Sequence, residues 1–245
     1  MSSLPQMPSA EPNGFIKTLN NVGYMTSTID PFSRSFVEFS SRARLPVLEI
    51  GAAYGIASLE ALQGGATVIA NDMDARHLEI LSERADPAER SRLTLLPGAF
   101  PSGLTLPPES IDAALICRVM HFFTGPQIEE SARVLHRWLA RGGRAYVVAE
   151  TPYLRNFSAF IPVYEERKKA ADPWPGFLDH VKAIAPERGA SLPDQMHFLD
   201  AEVLSRVFQR AGFRILRAET FARPEFPEDI QLDGRESVGM IAEKL

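Results

Sequence analysis

Apolar and polar positions along the chain fall into blocks that switch between two periods. A short apolar run, residues 47–50, carries one carboxylate at Glu49 and breaks at Gly51. The chain turns through Ala52, Ala53 and Tyr54 and restarts at Gly55 in a helical pattern. This predicts a buried strand, a tight loop and a helix N-terminus. The alternation repeats downstream: a strand over 66–70, a helix over 75–81, strands over 93–96 and 111–117, a helix over 127–139, and a strand over 145–149 closed by Glu150. Asp200 is expected to cap a helix running to Arg210, followed by a strand over 213–218. Near the start, Asp30-Pro31 predicts a capped helix with Phe32, Phe36, Val37 and Phe39 on its apolar face. Strands alternating with helices predict an α/β fold with a doubly wound parallel sheet.

The blocks suggest an organisation. Residues 1–14 read as a flexible tail, and 15–44 as an N-terminal lid and helix, the lid lying over the polar and aromatic stretch 20–26. Residues 45–150 hold the repeating core. Between 151 and 199 that pattern gives way to Tyr153, Phe157, Phe160, Tyr164, Trp174 and Phe177 among six prolines. This stretch reads as a helical cap and the natural place for acceptor recognition, because loops on a rigid scaffold carry specificity. Residues 200–245 return to the core.

Composition narrows the function classes. With 245 residues, 45% apolar and 23% charged, the chain suits one large soluble domain. A net charge of −5 argues against a protein that holds a nucleic-acid backbone. A lone cysteine, Cys117, permits no internal disulfide. No run of about 18 apolar residues is present to span a bilayer, and the first residues lack a charged start followed by an apolar core. The expectation is a cytoplasmic protein acting on a small molecule, with no nucleic-acid or membrane partner; oligomeric state is not legible.

The loop at residues 51–55 has glycines in G-x-x-x-G spacing, so it is neither a three-glycine dinucleotide fingerprint nor a Walker loop. Asp72 follows 17 residues after Gly55, at the end of the next strand, where a ribose reaches in a doubly wound sheet. Asp74 fits better as a helix cap. The ordered set Glu49-x-Gly51-x-x-x-Gly55, Asp72, Asp112, Val119-Met120-His121, Val134-Leu135 and Arg141-Gly142-Gly143 resembles the class I S-adenosylmethionine-dependent methyltransferases over residues 45–150. Residues 236–243 resemble the family's last antiparallel strand. The resemblance implies a Rossmann-like, mostly parallel seven-stranded sheet and S-adenosyl-L-methionine as cofactor. The expected cofactor set is Tyr24, Glu49, Gly51, Gly55, Asp72, Met73, Ala99, Phe100 and Cys117. Two positions depart from the family pattern: Ala53 stands where glycine is frequent, and Ala99 where an acid is usual. The backbone at Ala99, the Phe100 ring or a neighbouring polar side chain is expected to hold adenine instead.

A sulfonium already carries an electrophilic methyl, so the protein's work is alignment and exclusion of water. For an acceptor that must lose a proton, His121 is the leading base. Tyr153 is the second candidate, with His197 and His180 behind it. Packing without catalysis is the competing role for His121. Glu150 faces the crevice by position, as an anchor or a cap. Tyr24 and Met25 are placed to close over a cation, and Cys117 reads as a buried strand end. His77 and His136 read as solvated helix positions. No His, Cys or carboxylate set has metal spacing, Asp72, Asp74 and His77 included, and no metal is expected. Two other activities stay open: a cyclase or lyase that attacks the aminobutyryl chain of S-adenosylmethionine, and a non-catalytic binding module of the same fold.

Overall fold

In the computed structural model the described residues are 5–186 and 192–245. Residues 1–4 of the expected tail and 187–191 of the expected cap lie outside them. A short antiparallel hairpin, β1 (Ile16–Lys17) and β2 (Tyr24–Met25), precedes helix α1 (Pro31–Ser40). The core then runs β3 (Val47–Ile50), α2 (Ile56–Gln63), β4 (Val68–Asp72), α3 (Ala75–Arg84), β5 (Leu93–Pro97), β6 (Ile111–Cys117), α4 (Gly125–Trp138) and β7 (Leu139–Glu150). The cap follows with α5 (Ile161–Lys169), β8 (Phe177–Leu178), α6 (Val181–Ile184) and β9 (Met196–His197). Helix α7 (Ala201–Arg210) and strands β10 (Phe213–Phe221) and β11 (Ser237–Lys244) complete the chain.

Seven strands form one sheet in the order β10-β11-β7-β6-β3-β4-β5. Strands β3 to β7 are mutually parallel, and β11 runs antiparallel between β7 and β10. Parallel strands covered on both faces alternate their apolar side chains between two layers. Val47, Ala113 and Leu115 face α1 and α2, whereas Leu48, Ala114 and Ile116 face α4 and α7. Helix starts follow local chemistry. Asp30 accepts the Phe32 and Ser33 amides with Pro31 at the first position, and Thr124 with Gln127 forms a capping box on α4.

Several boundaries differ from the sequence expectation, two of them by enough to change the sheet. Strand β4 runs to Asp72 rather than ending at Ala70: Asn71 and Asp72 register with Leu96 and Pro97 on β5, and the Asn71 side-chain Nδ2 donates to the Leu96 and Gly98 carbonyls. Strand β7 begins at Leu139 and takes in the glycine pair at 142–143, its partner β11 pairing from Arg144 onward. The cap also has more parts than its own stretch. Phe15 from the N-terminal segment, and Phe226 and Ile230 from the loop joining β10 to β11, pack with Tyr153, Phe157, Phe160 and Phe198 in one cluster. Residues 200–245 therefore do not belong wholly to the core.

Candidate functional site

The chain's chemistry converges on a cavity of about 430 Å³ beyond the carboxyl ends of β3, β4 and β6. Strand β3 sits where the order reverses, β4 and β5 lying to one side and β6 and β7 to the other. Connections leave that point in opposite directions, which opens a crevice in a doubly wound sheet. The hairpin, the cap and the 222–236 loop supply the roof.

The floor is the 51–55 turn. Gly51, Ala53 and Gly55 have φ of 69°, 44° and 79°, all left-handed. A Cβ on Gly51 would fall 2.3 Å from Val119 Cγ2, and one on Gly55 2.3 Å from Leu81 Cγ. Both positions therefore need glycine for its conformation and for its size. Ala53 carries its methyl in the same region, and its amide donates to Asp72 Oδ2 at 2.9 Å. Beneath the turn, buried Glu49 accepts the Ser58 amide at 2.8 Å through Oε2, which the Ser58 hydroxyl also contacts. Burial, with a smaller push from Asp72, raises its pKa to about 7.

Asp72 ends β4 at the cavity wall. Its Oδ1 accepts the Asp74 amide at 2.9 Å, so each carboxylate oxygen retains acceptor capacity. Asp74 caps α3 through the Arg76 amide, as expected. Met73 is 66% exposed beside this wall. Ala99 lines the cavity, but its carbonyl is taken by the Gly103 amide at 2.6 Å. Phe100 also lines it, with its ring packed toward Phe123 and Trp138 at 6.2 and 5.9 Å. Cys117 closes β6 at the wall, its Sγ 3.6 Å from Asp30 Oδ2, and burial pushes its thiol pKa far up. Tyr24 lines the roof, its ring 5.5 Å from that of Phe15.

The candidate bases fare unequally. His121 lines the cavity, buried against Phe122, and its Nδ1 accepts the Glu150 amide at 3.4 Å. Burial lowers its pKa to about 4, with Arg118 adding to the effect against Glu150. Neutral imidazole with an occupied Nδ1 carries its proton on Nε2 and faces a ligand as a donor. The structure places Tyr153 away from the cavity lining: its hydroxyl donates to Glu165 and its ring packs on Tyr164 in the cap. The aromatic spacing of residues 151–164 could not show which rings turn inward. His197 is buried with Nδ1 on the Phe123 carbonyl at 3.1 Å, and His180 is exposed; neither lines the cavity.

His77 overturns its expectation of solvation. It is 1% exposed, its Nε2 accepts the Leu19 amide at 2.9 Å, and its Nδ1 lies 3.0 Å from Asp72 Oδ1, off the line of a good hydrogen bond. His136 is partly covered, its ring edge-on to Phe213. Among the described residues, no three His, Cys, Asp or Glu side chains are grouped to hold a metal.

Two arginines had no assigned role in the sequence and stand in the cavity wall. Arg118, with φ of 60°, gives Nε to Glu150 Oε1 at 2.7 Å and Nη1 to the Tyr24 carbonyl at 3.0 Å. Arg223 is 2% exposed and gives Nε to Glu225 at 2.5 Å and Nη1 to Ser237 Oγ at 3.3 Å. Both guanidiniums lie over the Phe226 ring, at 5.0 and 4.4 Å from its centroid. Burial alone would raise the pKa of Glu150; Arg118, His121 and Arg223 together outweigh it and hold the carboxyl below its usual range. Arg223 shows no sequence signal of its own beyond the aromatic and proline content of its loop.

A doubly wound sheet with a glycine-lined turn and a strand-end aspartate at its switch point places the cavity where such folds bind their ligands. Residues 47–143 match the family model of the methyltransferase domain. Solved structures share the fold. An S-adenosylmethionine-dependent methyltransferase from Mesorhizobium loti is 19% identical, with 87% of this chain and 96% of that one covered and a TM-score of 0.62. One from Methanosarcina mazei is 17% identical, covering 89% and 98%, with a TM-score of 0.64. The glycopeptide N-methyltransferase MtfA, complexed with S-adenosyl-L-homocysteine, is 16% identical over 87% and 88%, with a TM-score of 0.56. No curated protein matches the chain.

Proposed function

We propose that this protein transfers the methyl group of S-adenosyl-L-methionine to a small molecule held beneath the cap. The observation that carries this reading is the Asp72 carboxylate, set at the switch point beside the Gly51–Gly55 turn with acceptor capacity on both oxygens. The residues fit the cofactor. Asp72 would take the ribose hydroxyls, Met73 offers an exposed apolar surface for adenine, and the turn lets the backbone approach. Glu49, Tyr24 and Cys117 border the space left for the amino acid and sulfonium parts. When bound, the cofactor supplies an activated methyl group.

The chain's own residues supply orientation and dryness. Phe15, Phe157, Phe226 and Ile230 roof the cavity with apolar surface that excludes water from a bound acceptor. Alignment of two bound partners contributes on the order of 7 to 11 kcal/mol in well-oriented reactions. His121 positions through its Nε2 proton rather than removing a proton. A roof built from three chain segments over a 430 Å³ space favours a small acceptor over a polymer.

Calorimetry with S-adenosyl-L-homocysteine tests the cofactor site. Binding is expected, with Asp72→Asn weakening it roughly 10- to 100-fold, the range of hydrogen bonds to a charged group. Unchanged affinity in the variant would remove Asp72 from the ribose role, and no binding at millimolar ligand would end the reading.

A further inference from the structure

The cap-side half of the cavity differs chemically from the cofactor side. Its charged wall residues are Asp30, Arg118, Glu150 and Arg223. Both oxygens of each acid already accept a donor from the protein. Asp30 Oδ1 accepts the Phe32 and Ser33 amides and its Oδ2 the Ser33 hydroxyl at 2.6 Å. Glu150 Oε1 holds Arg118 and its Oε2 accepts Ser237 Oγ at 3.1 Å. The arginines are not saturated. Nη2 of Arg118 and Nη2 of Arg223 make no hydrogen bond among the described residues, and neither belongs to the buried polar atoms sealed without a partner. Arg118 is also held in left-handed backbone geometry, a strain that costs of order 1 to 3 kcal/mol and gathers at functional sites. Around these two donor ends the walls are Phe15, Leu154, Phe157, Met196, Phe226 and Ile230.

From this arrangement we infer that the acceptor is a small apolar carboxylic acid, bound as its carboxylate by Arg118 and Arg223, and that a carboxylate oxygen receives the methyl group. The inference rests on the methyl-transfer reading of the cavity. A guanidinium end offers donors in a planar fork that a carboxylate satisfies and an ammonium cannot. An amine acceptor that arrives protonated would bring donors to two guanidinium ends that themselves need acceptors. An alcohol would need a base, and the groups at hand are poorly placed for that work: His121 Nδ1 accepts the Glu150 amide, Asp30 caps α1, and Glu150 is paired with Arg118. A carboxylate needs no base. Its oxygen forms the new bond to the methyl carbon while the carbon–sulfur bond breaks and leaves its electron pair on sulfur. Sulfonium and carboxylate become a neutral thioether and a neutral methyl ester, with no proton to move.

The test uses the full chain and matched probes of one skeleton: 3-phenylpropanoate, 3-phenylpropylamine and 3-phenylpropanol, with octanoate and its amine and alcohol as a second set. Binding of S-adenosyl-L-homocysteine is measured first, so that a failed cofactor site is seen separately. On the homocysteine-loaded protein each acid is expected to bind at least tenfold more tightly than its amine and alcohol. With labelled S-adenosylmethionine, the acids are expected to yield methyl label released as methanol in alkali. Arg223→Gln should remove the preference for the acid and leave alcohol affinity unchanged, with Arg223→Lys intermediate; a purely structural loss would lower both together. Equal binding of all three head groups, preference for the amine, or alkali-stable label on an amine or alcohol would overturn the inference. Failure of every acid to bind a protein that binds S-adenosyl-L-homocysteine would do the same.

Discussion

At the scale of single residues the 51–55 turn holds one misfit. Ala53 occupies left-handed backbone that glycine enters without cost, while L-residues lose roughly 1 kcal/mol or more there. Part of that gain is returned through the looser unfolded chain of a glycine variant. Ala53→Gly is therefore expected to stabilise the protein by about 0.5 kcal/mol, read as a small rise in urea midpoint. Glu49 carries a second prediction. Its folded pKa of about 7 lies above the ordinary carboxylate value, so its stabilising share is complete below about pH 4.5 and is lost as pH rises through 7. Glu49→Gln should stand closer to the parent, or above it, at pH 8 than at pH 5 in paired urea titrations. Gly51, Gly55, Asp72 and Asp74 were legible because each is fixed by a local turn or strand end. His77, Arg118 and Arg223 were not, since their roles depend on Leu19, Tyr24, Glu150 and Phe226, partners distant in sequence.

At the scale of elements, Asp200 joins the cap to the core. Its Oδ1 accepts the Val203 amide at 2.7 Å as the N-cap of α7, and its Oδ2 takes Tyr164 and Lys168 of α5 at 2.5 and 3.1 Å. Burial alone would raise its pKa, and these donors outweigh burial and hold it below the usual range. Asp200→Ala loses a helix cap, strands the buried Tyr164 hydroxyl and leaves Lys168 with Glu202 alone, for an expected cost of about 2 to 4 kcal/mol. Denaturant melts would measure the total, and faster amide exchange in α5 than in β6 would locate it. The helix itself was readable from the Asp200 signal and the pattern over 201–210. Its second grip, on α5, was not, because nothing in a linear pattern records which helix a capping side chain also faces. The cap's borders behave alike: the aromatic stretch 151–199 announced a cover, yet Phe15, Phe226 and Ile230 join it from both ends of the chain.

Across the whole molecule, two buried imidazoles make the fold sensitive to mild acid. His121 and His197 have folded pKa values of about 4, lowered chiefly by burial, against 6.5 when solvated. Both stay neutral in the folded state while the unfolded chain takes up protons, so stability is full above about pH 6.5 and falls as pH drops toward 4. Each contributes a loss of order 3 kcal/mol over that window, and thermal melts at pH 7 and 5 should show it; His197→Phe is expected to reduce the drop by about half. No described helix is long and apolar enough to cross a membrane. The sequence by itself determined the order of strands and helices, the glycine turn and the strand-end aspartate, because periodicity, capping and tight turns are decided within a few residues of chain. Only the tertiary structure decided which side chains meet in the cavity. It turned Tyr153 into the cap, set the Glu150 amide against His121 Nδ1, and brought Arg118 and Arg223 over one phenylalanine ring, since burial and pairing across 105 residues depend on how the sheet and its cover close on each other.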